Sequence, residues 1–344
     1  MIAVFQQKNK STILYRFLRP ASLKRFFNKH PEAYADCASK EKRRICWKMR
    51  VAYILWDIVY LDFWRSRAET LSWAEIRDIV PYKRQEALWR RINAPSARAI
   101  FANKAKIYKH FGDCYHREAL LVEPDCGDLS EFFGFMTRHP RFAVKPLSGH
   151  WGNGFRIVDS AVDTDVVEHL SRLYPNGFLA EELIVQDSSV GQLHPESVNT
   201  LRIQTYMGPD GIEIKWPCLR MGRGNSIVDN AGAGGVFGAV DVASGTIIGV
   251  CDESHNVYEV HPDTGVPIIG FRIPRWEEAC QIAKKMAQRI PACQFIAWDL
   301  ALTPDGWVLV EGNYFPLLIW QMASGKGIRK EFEIMERDAD RRKA

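Results

Sequence analysis

The stretch FIAWDLALT (295–303), the turn Pro304-Asp305-Gly306 and the run WVLVEGN (307–313) decide how this chain is to be read. Two apolar runs joined by Pro-Asp-Gly form an antiparallel hairpin. Side chains repeat every second residue along a strand, so Glu311 and Asn313 share one face, and pairing across the turn brings Asp299 towards it. Three hard oxygen donors in that arrangement suit Mg²⁺, which completes its shell with water and phosphate oxygens. Taken alone, the same trio also describes an aspartate capping a turn beside a polar strand exit, so the rest of the chain has to discriminate.

Two earlier segments favour the metal reading. VKPLSGHWGNGF (144–155) puts Lys145 at the end of an apolar strand, followed by glycines 149, 152 and 154. Such glycines let backbone N–H groups approach phosphate oxygens, and the lysine adds positive charge. The segment is neither a Walker sequence nor a dinucleotide fingerprint. FLAEELIV (178–185) is an apolar strand with adjacent carboxylates, Glu181 and Glu182. One of them can meet a ribose or a base amine while the backbone of Leu183 and Ile184 meets an adenine edge.

Alternating runs predict further strands over 142–146, 155–159, 178–184, 200–207, 212–221, 236–242 and 246–252, and helical spacing predicts a helix over 276–289. Residues 22–94 are charged and aromatic with helical spacing and almost no glycine. Trp47, Tyr53, Trp56, Tyr60 and Trp64 are read there as a packing face, not a stacking platform for bases. The texture changes at Asn93-Ala94-Pro95. The closing KEFEIMERDADRRKA (330–344) reads as a charged helix end or a frayed tail.

The 344 residues are 47% hydrophobic and 25% charged, as in a globular protein of two or three compact units. The net charge of +5 is uneven. Thirteen Lys/Arg stand against three Asp/Glu in residues 1–50. A basic end of this kind attracts phosphates, nucleic acid or an anionic membrane surface, or is simply a solvated arm, and it is given no catalytic role. The most hydrophobic stretch, VAYILWDIVYLDFW (51–64), is broken by Asp57 and Asp62, short of the roughly 20 apolar residues that a bilayer requires. The eight cysteines form no C-x-x-C pair, which argues against a structural zinc site or a redox dithiol and fits reduced thiols in a cytoplasmic protein.

The order Asn103-Lys104, Val144-Lys145-Pro146, the glycine-rich turn, Glu181-Glu182-Leu183-Ile184, then Asp299 with Glu311-Gly312-Asn313 resembles the ATP-grasp superfamily. HPESVNTLRIQT (194–205), CLRMGRGNSIVDNAGAGG (218–235) and AWDLALTPDGWVLVEGN (297–313) resemble its sugar-transfer-associated group. The resemblance spans about 100 to 325. It implies an α+β ATP-grasp fold, two α/β lobes enclosing ATP, behind a helical N-terminal region. The expected segments are 1–95 (basic, helical), 96–182 (N-terminal lobe with the glycine-rich loop), 183–330 (C-terminal lobe with the metal site) and 331–344 (charged tail).

The resemblance implies that Lys104, with Lys106 as a near alternative, and Lys145 contact phosphates. It further implies that Ser148, Gly149, Gly152, Asn153 and Gly154 close over them, although many relatives carry lysine where Asn153 stands. Glu181, Glu182, Leu183 and Ile184 would hold adenosine. Asp299, Glu311 and Asn313 would hold one or two Mg²⁺, for which Mn²⁺ can substitute. Many relatives place an arginine two residues before the metal aspartate, but here that residue is Ala297. The role therefore falls to Arg202 or Arg220, with Asn199 as a polar neighbour.

The expected activity is an ADP-forming carboxylate–amine ligase working through an acyl phosphate on small molecules, in surface-polysaccharide or secondary-metabolite biosynthesis. No nucleic-acid partner or membrane span is expected, and peripheral membrane contact is left to the basic end. A small-molecule kinase and a non-catalytic nucleotide-binding scaffold are the alternatives. Asp229–Gly235 reads equally as an anion-binding loop or a wide turn. His194 reads as a general base or, more commonly, a capping residue, and Gly325-Lys326-Gly327 as a helix cap.

Overall fold

The protein is described from a computed structural model that covers Arg16 and residues 22–124, 128–149, 154–162, 165–229, 232 and 234–342. Helices α1 (Leu23–Lys29), α2 (Ser39–Trp56), α3 (Tyr60–Arg65) and α4 (Trp73–Asp78) come first. Ser22 caps α1, and a reciprocal Ser72/Glu75 capping box starts α4. Asp57, in the left-handed conformation, ends α2 inside the longest apolar stretch. Among the described residues no helix is long and apolar enough to cross a membrane. The four helices share one core of Phe26, Ile45, Met49, Ala52, Phe63 and Ile76.

Next come α5 (Tyr82–Ile92), α6 (Pro95–Phe101) and α7 (Lys104–Phe111). A four-stranded antiparallel sheet follows, in the order β1 (Ala119–Val122), β4 (Phe178–Glu182), β2 (Arg141–Pro146), β3 (Arg156–Asp159). Helices α8 (Ser130–Arg138) and α9 (Val166–Leu173) pack on it through Phe132, Phe135, Val166 and Leu170. A short helix α10 (Ser188–Gly191) leads to the second sheet.

That sheet has six antiparallel strands in the order β10 (Gly306–Asn313), β9 (Phe295–Thr303), β5 (Thr200–Gly208), β6 (Gly211–Met221), β7 (Val236–Val240), β8 (Ile247–Asp252). One face carries Leu201, Ile203, Leu219, Trp298 and Leu300, and α11 (Trp276–Gln288) packs there through Ala279, Ala283 and Met286. The other face changes character along its length. At one end Phe295 stacks on Trp89 at 3.8 Å and 9°. Towards β7 and β8, α12 (Trp320–Ser324) covers Cys218, Phe237 and Ala239. Between these apolar patches runs a row of charged side chains.

The α+β expectation holds, and the hairpin forms as read. Three details differ. β1 was not foreseen, because its four residues are too few to show alternation. β4 stops at Glu182, so Leu183 and Ile184 leave the sheet. The helical region does not end at 95, because α5 buries Leu88, Trp89 and Ile92 against Phe295 and the last helix, away from the α1–α4 core. Of the two readings of the closing segment, the helical one holds: α13 (Arg329–Arg341) is fixed by buried Phe332, Met335 and Ala339 and by Arg84 on Glu336. Gly325 caps α12 in the left-handed conformation, as its position suggested.

Candidate active site

Register places the charged row. Glu311 lies opposite Asp299, and Asp299 lies opposite Arg202, so the three side chains emerge side by side on one face. Asn313 is two residues on from Glu311 and shares that face. Arg202 grips Asp299 with two 2.7 Å bonds from Nε and Nη2. Arg220 donates from Nη1 to Asp299 Oδ2 at 2.9 Å and from Nη2 to Asp229 Oδ1 at 2.9 Å. Asp229 in turn accepts from the backbone N–H and hydroxyl of Thr200. Burial by itself would raise the Asp299 carboxyl, but the two guanidiniums outweigh it and hold it below the usual carboxylate range. Burial and the nearby Asp299 push Asp229 the other way, upward.

Glu311 is the accessible carboxylate of the group, with its side chain 33% exposed and Lys104 Nζ 3.8 Å away. Lys104 is set by its own backbone. Its N–H donates to Leu147 O at 2.8 Å, and Asn103 caps the helix that it begins. The side chain then reaches Gly149 O at 3.4 Å. Lys104 therefore touches both the start of the glycine-rich turn and the late hairpin. Lys106, the alternative, lies exposed on α7 and makes no side-chain bond to the described residues of the site.

Lys145 ends β2 and donates to Glu181 Oε2 at 2.9 Å, across the β2–β4 pair. Arg117 binds the same oxygen from Nε and Nη2 at 3.1 and 2.6 Å. Its Nη1 donates to Tyr115 O at 3.1 Å and to Leu309 O at 2.8 Å. Two cations thus share one buried carboxylate and leave a surplus positive charge. Burial lowers the Lys145 ammonium, Glu181 offsets this in part and Arg117 adds to it. Burial opposes ionisation of Glu181, but Arg117 and Lys145 together hold its carboxyl low. Glu181 Oε1 is buried and has no partner among the described residues.

Sequence reasoning missed Arg117. It lies just outside a strand, and its meaning comes from a carbonyl 192 residues away. That carbonyl sits where the β9–β10 register slips between Leu309 and Glu311, and the slip frees it to accept a side-chain donor.

The remaining expected residues separate. Glu182 accepts the N–H of Glu118 at 3.0 Å. The backbone groups of Leu183 and Ile184 have no hydrogen-bond partner among the described residues. Ser148 and Gly149 are exposed, and Gly154 has a φ of 78° and accepts the Tyr174 hydroxyl at 2.6 Å. Gly152 and Asn153 lie outside the described residues, as do Asn230, Ala231 and Ala233 of the second glycine run. Asn199 is not brought into the site. It is fully buried and donates to Gln186, Val190 and His194. His194 is also buried, with one ring nitrogen on Ser197 and the other on Gly224 O, which leaves no nitrogen for a substrate proton.

Among the described residues no group of three or more His, Cys, Asp or Glu is placed to hold a metal ion. The Asp299, Glu311 and Asn313 set offers two carboxylates and an amide. It fits Mg²⁺ on the chemistry of its donors: Glu311 accepts no hydrogen bond among the described residues, only the 3.8 Å approach of Lys104, and the Asn313 amide adds a neutral oxygen.

Residues 83–337 match the model of the family described as "Sugar-transfer associated ATP-grasp". No curated protein matches the chain. Among solved structures it is similar to the ATP-grasp ligase PsnB, complexed with minimal precursor, Mg and ADP, at 11% identity and a TM-score of 0.45 over 72% of this chain and 62% of that one. It is similar to the D-alanine-D-alanine ligase from Coxiella burnetii at 11% identity and a TM-score of 0.45, over 72% and 60%. D-cycloserine synthetase DcsG gives 13% identity and a TM-score of 0.44 over 73% of both chains. This chain therefore spans less than two thirds of the first two. With a family match over more than half its length, the chain belongs to the sugar-transfer associated ATP-grasp family.

Proposed function

We propose that the protein is a Mg-ATP-dependent ligase that activates a substrate carboxylate as an acyl phosphate and joins it to an amine. The observation that carries this reading is the position of Lys104, in contact with both Gly149 of the glycine-rich turn and Glu311 of the hairpin. A triphosphate in that gap would meet Lys104 and Lys145, and its charge would match the surplus at Lys145, Arg117 and Glu181. The backbone of Leu183 and Ile184 would meet adenine, with Glu182 beside them. Asp299, Glu311 and Asn313 would hold Mg²⁺, which supplies charge neutralisation of the phosphates.

The carboxylate oxygen attacks the γ-phosphorus, the bond to the β-phosphate oxygen breaks and ADP leaves. The amine then attacks the acyl carbon and phosphate departs. Arg202 has an Nη1 group with no bond among the described residues, next to Asp299, and can meet charge developing on the acyl phosphate. A turn closed over the intermediate excludes water, and proximity of the amine contributes several kcal/mol of barrier reduction.

Incubation with Mg-ATP and panels of amino acids, sugar acids and amino sugars, read by ADP release and product mass, tests the reading. Glu311→Gln is the control, because that residue is accessible and its loss leaves the buried arginines paired. A ligase releases phosphate along with ADP. Ala297, standing where many relatives have arginine, favours a second reading as a small-molecule kinase, and phosphate retained on the product would establish it.

A further inference from the structure

Trp47 departs from the packing role expected of the N-terminal aromatics. Tyr53, Trp56, Tyr60 and Trp64 pack on the α1–α4 core, whereas Trp47 is 60% exposed. It is held upright by an edge contact with Trp73 at 5.6 Å. On α2, Lys40, Arg43, Trp47 and Arg50 fall at i, i+3, i+7 and i+10, within an arc of about 80° on the helix surface. All four are exposed, and Arg44 lies beside them. Ile45, Met49 and Ala52, on the opposite face, fill the core.

We propose that this outward face of α2 docks the protein on an anionic lipid bilayer. A large apolar ring in the middle of a cationic helix face leaves most of its surface unburied by the fold. The combination of an indole at headgroup depth with cations around it is what an anionic membrane interface selects. Beside Trp47, a cleft of about 430 Å³ between α1 and α2 is lined by Leu23, Lys42, Arg43, Cys46 and Arg50, and can take a lipid phosphate between its cations. α1 adds exposed Lys24, Arg25 and Lys29. On α2 the opposing charge is Glu41, 3.8 Å from Arg44. The described part of residues 1–50 holds nine Lys/Arg after residue 22 against Glu32, Asp36 and Glu41. One indole, with its edge taken by Trp73, offers no succession of faces for stacked bases, which disfavours single-stranded nucleic acid.

The full chain is floated with vesicles of phosphatidylcholine alone and with about 30% phosphatidylglycerol. Binding is expected only to the anionic vesicles, with release at about 0.5 M salt. Each lost cation weakens binding about fivefold, so Arg43→Glu with Arg50→Glu lowers it at least about 25-fold. Trp47→Ala weakens binding while keeping the salt dependence. Unchanged thermal melting shows that the variants are folded. Equal binding to neutral vesicles, unaffected variants, or binding to homopolymeric RNA but not to vesicles would overturn the proposal.

Discussion

Asp299 is where one side chain does most to hold the site together, because its carboxylate is shared by Arg202 and Arg220. Asp299→Ala leaves two buried guanidiniums without the carboxylate they share, with Asp229 still bonded to Arg220 and Glu311 acting on Arg202 only through its charge. Breaking a buried pair from one side costs about 3–5 kcal/mol, so urea unfolding of Asp299→Ala is expected to move by that much, with Asp299→Asn losing less. A similar asymmetry applies to Arg117. Arg117→Ala abandons Glu181 and the Leu309 carbonyl together, and Arg117→Lys cannot span both, since an ammonium lacks the planar fork. In steady-state ADP release, both variants are expected to raise the KM for ATP at least tenfold, through a misplaced Lys145. A KM within twofold of the parent would show that the clamp is unneeded. Asp299, Glu311, Lys104 and Lys145 were legible because their types and order carry chemistry. Arg117 was not, because an arginine's partners are set by the fold, and Asn199 misled because a polar residue in a suggestive motif can as well be satisfied inside the core.

The hairpin shows why the element could be read and what its glycine does. A side chain at Gly312 would meet the ring of Phe101 at 2.7 Å and Trp298 at 3.3 Å. Gly312 thus lets α6 lie against β10 on one face while Glu311 and Asn313 point to the other. Gly312→Ala is expected to cost about 1–3 kcal/mol in denaturant unfolding and to weaken metal-dependent activity by displacing its two neighbours. The hairpin's limits were legible because Pro-Asp-Gly is strong turn chemistry, whereas the four residues of β1 and the short helices carry too little periodicity to stand out. The loop after β8 supplies a pH dependence of its own. His255, packed against Trp64 at 4.6 Å, is driven down to about 4, chiefly by burial and then by Arg65. A histidine depressed in the folded state adds stability that is present above its unfolded value of about 6.5 and is lost as pH falls towards 4. Melting temperatures across that window should fall more steeply for the parent than for His255→Asn, which removes the titration and tolerates the left-handed backbone.

At the level of the whole molecule, apolar clusters and not segment lengths mark the units. Residues from Phe26 to Ile79 form one core, while Val80 to Ile92 join the large sheet and α13. The join is polar: Gln321 receives the Val80 N–H at 2.9 Å and donates back to Val80 O at 3.2 Å, and Gln85 donates to the same carbonyl at 2.8 Å. The Gln321 bonds could not be read along the chain, since that partner lies 241 residues from Val80. If nucleotide binds as proposed, Mg-ATP at a hundred times its dissociation constant adds about 2.7 kcal/mol and raises the melting temperature of the parent, with Lys145→Ala showing no rise. The Arg117 clamp couples the two sheets. It ties Glu181 of β4 to the Leu309 carbonyl at the register slip of β10, beside the packing of Leu179 into the large core and the bond from the Tyr108 hydroxyl to Ala119 O. Leu309, Glu181 and Lys145 are thereby strung on one arginine and one carboxylate, so a shift of the hairpin strand is passed to the lysine.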